Sequence, residues 1–260
     1  MLTRKACVVV ACALALAAGA FGQGRLIAVD SSRALYEIDM NTGAKTSIGT
    51  VSSNAGTTGG LALNRASGTV YLTSTSLDSL FTLDIATGAA TLVGVYDPNS
   101  TALVMHGLEY DGSTGTLYGA SSHNAGIYTI NAATGAATLV GLTGLSSFTN
   151  LGYNSDTNVM YATNSGADSF YSIDRATGLA TLIGPLNGPT NPNGLAYNWD
   201  NGRLYLVDNS TDNLYWIDTA TGAANLIGST GTGNLLGLVY IPEPASLLML
   251  GLVLTLRRRS

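Results

Sequence analysis

A Thr-Gly pair returns five times along the chain, at Thr42-Gly43, Thr87-Gly88, Thr134-Gly135, Thr177-Gly178 and Thr221-Gly222, with spacings of 45, 47, 43 and 44 residues. A period of that length marks a repeat architecture, in which each unit buries its apolar flank only by stacking on the next. An alternating apolar-aromatic segment precedes each pair, as in Leu80-Phe81-Thr82-Leu83-Asp84 and Phe170-Tyr171-Ser172-Ile173-Asp174. A shorter segment follows and ends in Gly, as in Ala180-Thr181-Leu182-Ile183-Gly184. Alternation with period two is the strand signal.

Two further strands complete each unit. One opens with small residues, as in Gly60-Leu61-Ala62-Leu63 and Gly194-Leu195-Ala196-Tyr197, and the other carries pairs such as Val70-Tyr71 and Leu204-Tyr205. Four strands per period of about 40–50 residues predict an all-β fold, a five-bladed β-propeller with four-stranded blades. The repeat begins out of phase, with a second strand at Arg25–Asp30, and ends on a lone first strand at Leu235–Ile241. The C-terminal strand is therefore expected to close the first blade, in a 3+1 arrangement. Twelve of the 13 tyrosines fall at repeat positions, and only Tyr96 does not, so they read as core and blade-packing residues.

Four aspartates and one asparagine (Asp39, Asp84, Asn131, Asp174 and Asp218) stand three residues before the repeated Thr. They are expected to fold turns rather than to ligate ions. An Asx side chain accepts hydrogen bonds from backbone N–H groups two and three residues on, and Gly supplies the positive φ that closes the hairpin. Asn154-Ser155-Asp156-Thr157-Asn158 imitates the start of a calcium loop but lacks its central Gly and late Glu.

Charged residues make up only 10% of the chain, which argues against disorder and against a coiled coil. Residues 23–241 hold six basic side chains against fifteen acidic ones. No basic stripe is left to release counterions from a phosphate backbone, so nucleic acid is not expected as a partner. The two cysteines, Cys7 and Cys12, both lie in the first apolar run, and a chain trimmed of that run has no thiol for redox or zinc chemistry.

That first run follows Arg4-Lys5 and ends in small residues near Ala18-Gly19-Ala20, the layout of a secretory signal peptide over 1–22. The domain boundaries follow as a signal peptide at 1–22, a propeller at 23–241 and a tail at 242–260. In the tail, Pro242-Glu243-Pro244 precedes twelve largely apolar residues and the cluster Arg257-Arg258-Arg259. As a helix, twelve residues reach about 18 Å, short of the ~30 Å hydrocarbon core. The segment suits a transient inner-membrane contact with its arginines held on the cytoplasmic side; a plain tail anchor is the competing reading. The order Pro-Glu-Pro, apolar segment, arginines resembles the PEP-CTERM sorting signal of Gram-negative bacteria. That resemblance implies processing near Pro242–Pro244 by an exosortase-type membrane protease, followed by release or attachment at the cell surface.

Ligands of propellers commonly enter at the mouth of the central channel. The loops before the first strands and between the second and third strands are expected to form that mouth; they offer Thr58, His106, His123, Asn150, Asn193 and Asn234. These mostly neutral polar groups suit sugars or peptide backbone. His106 and His123 are the only histidines, and with Glu109, the single charged residue of the innermost strands, they form a possible metal or proton-transfer cluster. Pro192-Asn193-Gly194-Leu195-Ala196-Tyr197 with Arg203-Leu204-Tyr205-Leu206-Val207-Asp208 resembles a repeat of the gluconolactonase/senescence-marker family. In that family the Asn of the Asn-Gly pair binds a catalytic divalent metal, a role the resemblance would give to Asn193. No nucleophile elbow, zinc-protease helix or phosphate loop occurs in the sequence. The expectation is an exported surface or matrix module that binds or scaffolds without catalysis and without a cofactor. Its expected partners are the processing protease and, by implication of the sorting signal, extracellular polysaccharide or a surface protein. The alternative is a metal-dependent, lactonase-like hydrolase.

Overall fold

Each repeat folds into a four-stranded antiparallel sheet, because its alternating segments are joined by turns short enough to close hairpins. The computed structural model describes residues 24–97, 103–147 and 150–243. The leader expected over 1–22 and the sorting-signal residues Pro244, Arg257, Arg258 and Arg259 lie outside the described residues; Pro242 and Glu243 are described and carry no regular structure. One compact unit spans Leu26–Tyr240.

Blade 1 takes β1 (Arg25–Asp30), β2 (Ala34–Ile38) and β3 (Lys45–Thr50). Blade 2 takes β4 (Thr58–Asn64), β5 (Thr69–Ser74), β6 (Ser79–Leu83) and β7 (Ala90–Val95). Blade 3 takes β8 (Met105–Asp111), β9 (Thr116–Ser121), β10 (Gly126–Ile130) and β11 (Ala137–Leu142). Blade 4 takes β12 (Gly152–Asn154), β13 (Val159–Asn164), β14 (Ser169–Ile173) and β15 (Ala180–Pro185). Blade 5 takes β16 (Pro192–Asn198), β17 (Arg203–Asp208), β18 (Asn213–Ile217) and β19 (Ala224–Ser229). The last strand, β20 (Leu235–Ile241), pairs with β1, so the first sheet has the order β20-β1-β2-β3 and the 3+1 closure holds.

The innermost strands are β4, β8, β12, β16 and β20. They approach so closely that a Cβ on Gly60 would press on Leu108, one on Gly194 on Leu238, and one on Gly237 on Leu61. At the matching place in blade 4 the sequence has Asn150, and β12 is only three residues long. There the Asn150 Oδ1 accepts the Thr163 backbone N–H at 3.0 Å, a bond the sheet ladder would otherwise make. Apolar side chains fill the wedges between blades, as where Leu26 and Tyr240 of blade 1 cluster with Tyr205 and Leu214 of blade 5.

The Asx turns form as the sequence predicts. Asp174 Oδ1 accepts the Ala176 N–H at 2.8 Å, and Gly178 takes φ +76°. The same glycines do a second job at the rim. A Cβ on Gly43 would strike Gly228, and Gly135, Gly178 and Gly222 stand in the same relation to Gly94, Gly141 and Gly184 of the preceding blade. Between blades 1 and 2 the contact of Gly88 falls on the Thr50 carbonyl. Beside each outer-strand glycine the ladder carries a one-residue bulge, with Ile183 the extra residue in blade 4. The bulge turns Val93, Val140, Ile183 and Ile227 toward the core and leaves Leu92, Leu139, Leu182 and Leu226 exposed.

Gly184 has no positive φ, so alanine there meets no torsional strain, yet its Cβ would collide with the Thr221 carbonyl. Gly184→Ala is expected to cost roughly 1–3 kcal/mol of stability as overpacking. Gly112→Ala, with open space around the added carbon, should stay within about 0.5 kcal/mol. Urea denaturation of the two variants checks this, and equal stabilities would contradict the rim contact.

Candidate functional site

Short turns join the innermost strand to the second strand in blades 2 to 5, and at that end of the inner strands a cavity of about 750 Å³ opens. Tyr110, Tyr153, Tyr197, Tyr240 and Trp199 wall it, and Glu109 faces into it. Tyr110, Tyr153, Tyr197 and Tyr240 occupy one repeat position on β8, β12, β16 and β20. The preceding position is Glu109 in blade 3 and Ala62, Gly152, Ala196 or Val239 in the others, small residues beside which one carboxyl has room.

The tyrosines are fixed by the turns around them. Tyr153 donates to Asn158 Oδ1 at 2.7 Å and Tyr197 to Asp156 Oδ2 at 2.7 Å, while Tyr240 donates to Asp200 Oδ2. The last two bonds run to the turn of the preceding blade and so tie blades together. Burial, reinforced by the hydrogen bond to Asp156 and its charge, pushes the Tyr197 phenol well above its ordinary range. That phenol is a neutral wall group at any ordinary pH. Trp199 meets Tyr240 edge-on at 5.0 Å and carries the Arg65 guanidinium over its face at 3.9 Å. Arg175 lies over Tyr153 at 5.2 Å and pairs with Asp111.

Glu109 joins two blades. Its Oε1 accepts the Tyr110 N–H at 2.8 Å and its Oε2 accepts the Tyr153 N–H at 3.0 Å. Protein surrounds the carboxyl, and solvent reaches it by way of the cavity, which leaves the side chain only partly exposed. Burial outweighs the two backbone donors, and with Asp111 repelling a second charge it pushes the Glu109 carboxyl up from 4.5 to about 8.

Of the candidate residues that the sequence offers, Glu109 alone lines the cavity. Thr58, His106, Asn150, Asn193 and Asn234 belong to the opposite ends of the inner strands, His123 to the β9–β10 loop, and none of them lines the cavity. His106 sits at the bulge between Met105 and Gly107, half-buried, with its pKa lowered by desolvation. His123 is exposed and its backbone N–H donates to Ser121 Oγ at 3.2 Å. Neither histidine joins Glu109, and among the described residues no three His, Cys, Asp or Glu side chains could hold a metal together. Asn150 is buried, with Nδ2 donating to the Pro192 carbonyl at 3.3 Å and Oδ1 accepting from Thr163. Asn193 Nδ2 donates to the Asn191 carbonyl at 2.9 Å. Asn234 bridges Ser31 Oγ at 3.1 Å and Asn209 Nδ2 at 2.8 Å. Thr58 Oγ1 donates to the Asp30 carbonyl at 2.6 Å. Three of these polar groups span neighbouring blades.

Solved structures similar in fold include that of a nidogen/laminin complex, with 14% identity, a TM-score of 0.59 and coverage of 85% of this chain and 98% of that one. A structural-genomics protein of unknown function from Bacteroides thetaiotaomicron is 17% identical, with a TM-score of 0.59 over 86% of this chain and 65% of that one. Virginiamycin B lyase from Staphylococcus aureus is 16% identical, with a TM-score of 0.51 over 85% and 78%. At such identities the likeness concerns the fold alone. No curated protein matches the chain. Residues 87–232 match the model of a family described as a repeat of unknown function, DUF6923, and the chain belongs to that family.

The raised carboxyl sets the sign of a pH effect. Unfolded chains release the Glu109 proton near 4.5, whereas the folded protein keeps it to about 8. Between those values the folded state binds more protons, so stability falls as pH rises, by up to about 1.4 kcal/mol per pH unit. Glu109→Gln removes that slope. Its stability relative to the wild type is expected to increase steadily from pH 5 to pH 8 in chemical denaturation, and a difference independent of pH would contradict the placement of the carboxyl.

Proposed function

We propose that the chain is an exported, non-catalytic binding or scaffold module of the cell surface or extracellular matrix, and that it takes its ligand in the cavity walled by Tyr110, Tyr153, Tyr197, Tyr240 and Trp199. The observation that carries this reading is the commitment of the cavity's polar groups. Three of the four phenols are bound to turn residues, and both Glu109 oxygens accept backbone N–H groups. Such a lining holds a ligand by apolar and aromatic contact and orients it on one carboxyl. The leader at 1–22 and the resemblance of residues 242–260 to a PEP-CTERM signal support export and processing by an exosortase-type protease. They also favour an extracellular polysaccharide or a surface protein as the larger partner.

Two measurements test the proposal. Mass spectrometry of cell-surface or matrix material should find the chain without residues 1–22 and without Arg257–Arg259, and an intact arginine tail on that material would contradict the sorting route. Ser155 is an exposed turn residue at the cavity wall, so Ser155→Trp narrows the cavity without touching the core. The folded variant is expected to wash out of the matrix while the wild type is retained. Equal retention would place binding somewhere other than the cavity.

A further inference from the structure

We propose that the group this cavity admits is an organic ammonium ion, held between the aromatic wall and the Glu109 carboxyl. The inference rests on the binding role given to the cavity above and names the chemistry of what enters it. Three observations lead there.

The first is the geometry of the carboxyl. Each oxygen accepts one backbone N–H, from Tyr110 in blade 3 and Tyr153 in blade 4, which fixes the group rigidly and leaves its remaining lone pairs for a ligand. The second is the wall. Tyrosine and tryptophan rings attract a cation placed over their faces, and this molecule already uses its own rings that way. Arg65 covers Trp199 at the cavity wall and Arg175 covers Tyr153. The third is size and polarity: about 750 Å³, with Leu61, Leu63 and Leu238 adding apolar surface. That space suits an ammonium carried on an aliphatic or sugar body better than a bare metal ion, which would demand more oxygen ligands than one carboxyl provides.

An anionic or neutral ligand fits less well. An anion would have Asp111, Asp156 and Asp200 close behind the wall, and a neutral sugar would find three of the four phenols already bonded to turn residues. A cation also suits the buried carboxyl. It provides the charge that lets Glu109 ionise, so binding releases the Glu109 proton below about pH 8. The other ionisable and charged groups around the carboxyl are Tyr110 and Asp111 on β8, Tyr118 opposite Glu109 on β9, Tyr153 on β12, Tyr197 on β16 with Asp156 at its hydroxyl, Tyr240 on β20 with Asp200 at its hydroxyl, Arg65 in the β4–β5 turn and Arg175 beyond Tyr153. Asp111 is buried, but hydrogen bonds from Ser113 and Thr114 together with Arg175 hold it below the usual carboxylate range. It stays charged while Glu109 titrates.

Choline and its neutral isostere 3,3-dimethylbutan-1-ol form a matched pair of probes for the full chain, read by saturation-transfer NMR and calorimetry. Choline is expected to bind roughly tenfold more tightly than the alcohol. Its affinity should rise by about tenfold per pH unit up to about pH 8, because only the ionised fraction binds. Glu109→Gln should erase both the preference and the pH dependence while the protein stays folded by circular dichroism. Equal affinity for the two probes, a preference that survives Glu109→Gln, or no choline binding at tens of millimolar would each overturn the ammonium assignment. Ser155→Trp separates this failure from that of the broader reading. If the variant abolishes equal binding of both probes, the cavity remains the site and only the ligand class is wrong. If choline binds Ser155→Trp as it binds the wild type, both the assignment and the cavity are wrong.

Discussion

Backbone meets backbone wherever the outer strand of one blade passes beneath the Thr-Gly turn of the next, and no side chain fits between them. This close approach fixes the distance between blades at the rim, as the glycine contacts among β4, β8, β16 and β20 fix it at the centre. Between these two sets of contacts the apolar side chains fill a wedge of set width. The one-residue bulge at each rim contact is part of the same device. In blades 2 to 5 it twists the outer strand so that its glycine faces the neighbouring turn and sends a Val or Ile inward, while in blade 1 Thr50 takes the contact. Among the described residues the ring therefore closes through packing and hydrogen bonds alone.

Closure has a consequence at the centre. Five inner strands that nearly touch leave little room on the axis, and small residues at Ala62, Gly152, Ala196 and Val239 keep what there is. One blade departs from this with Glu109, whose carboxyl reaches a second blade at the Tyr153 N–H. The tyrosines at the next position widen toward the turns and are latched there, Tyr197 to Asp156 and Tyr240 to Asp200. The result is a cup with an aromatic wall, rigid because Glu109, Tyr197 and Tyr240 each join two blades. Rigid placement of a few polar groups in an apolar hollow is what binding sites generally need.

Much of the fold was legible because a propeller repeats its local chemistry. Strand alternation, the Asx turn at Asp174 and the out-of-phase ends that build blade 1 follow from short stretches of sequence. What was not legible depends on neighbours distant in the chain. Gly178 reads as a turn residue, and nothing local says that it also lies against Gly141. Leu182 and Ile183 look alike in sequence, and only the bulge sends one out and the other in. Asn150 reads as one more polar loop residue, whereas its side chain replaces part of a strand ladder and shortens β12. The cavity was harder still. Its tyrosines sit at repeat positions and read as core, while the exposed-looking asparagines at the other end drew the functional reading. The usable signal was Glu109, a single charge in a column of small residues, whose meaning depends on that column facing the axis.

The claim on which all of this depends is that β20 completes the first blade and locks the ring. Native-state amide hydrogen exchange tests it most directly. The account predicts that Leu26–Val29 and Leu238–Tyr240 exchange only by global unfolding, with the same free energy as the amides of β9 and β10. Exchange of either segment through local fraying, several kcal/mol below the global value, would contradict a ring closed by its two ends.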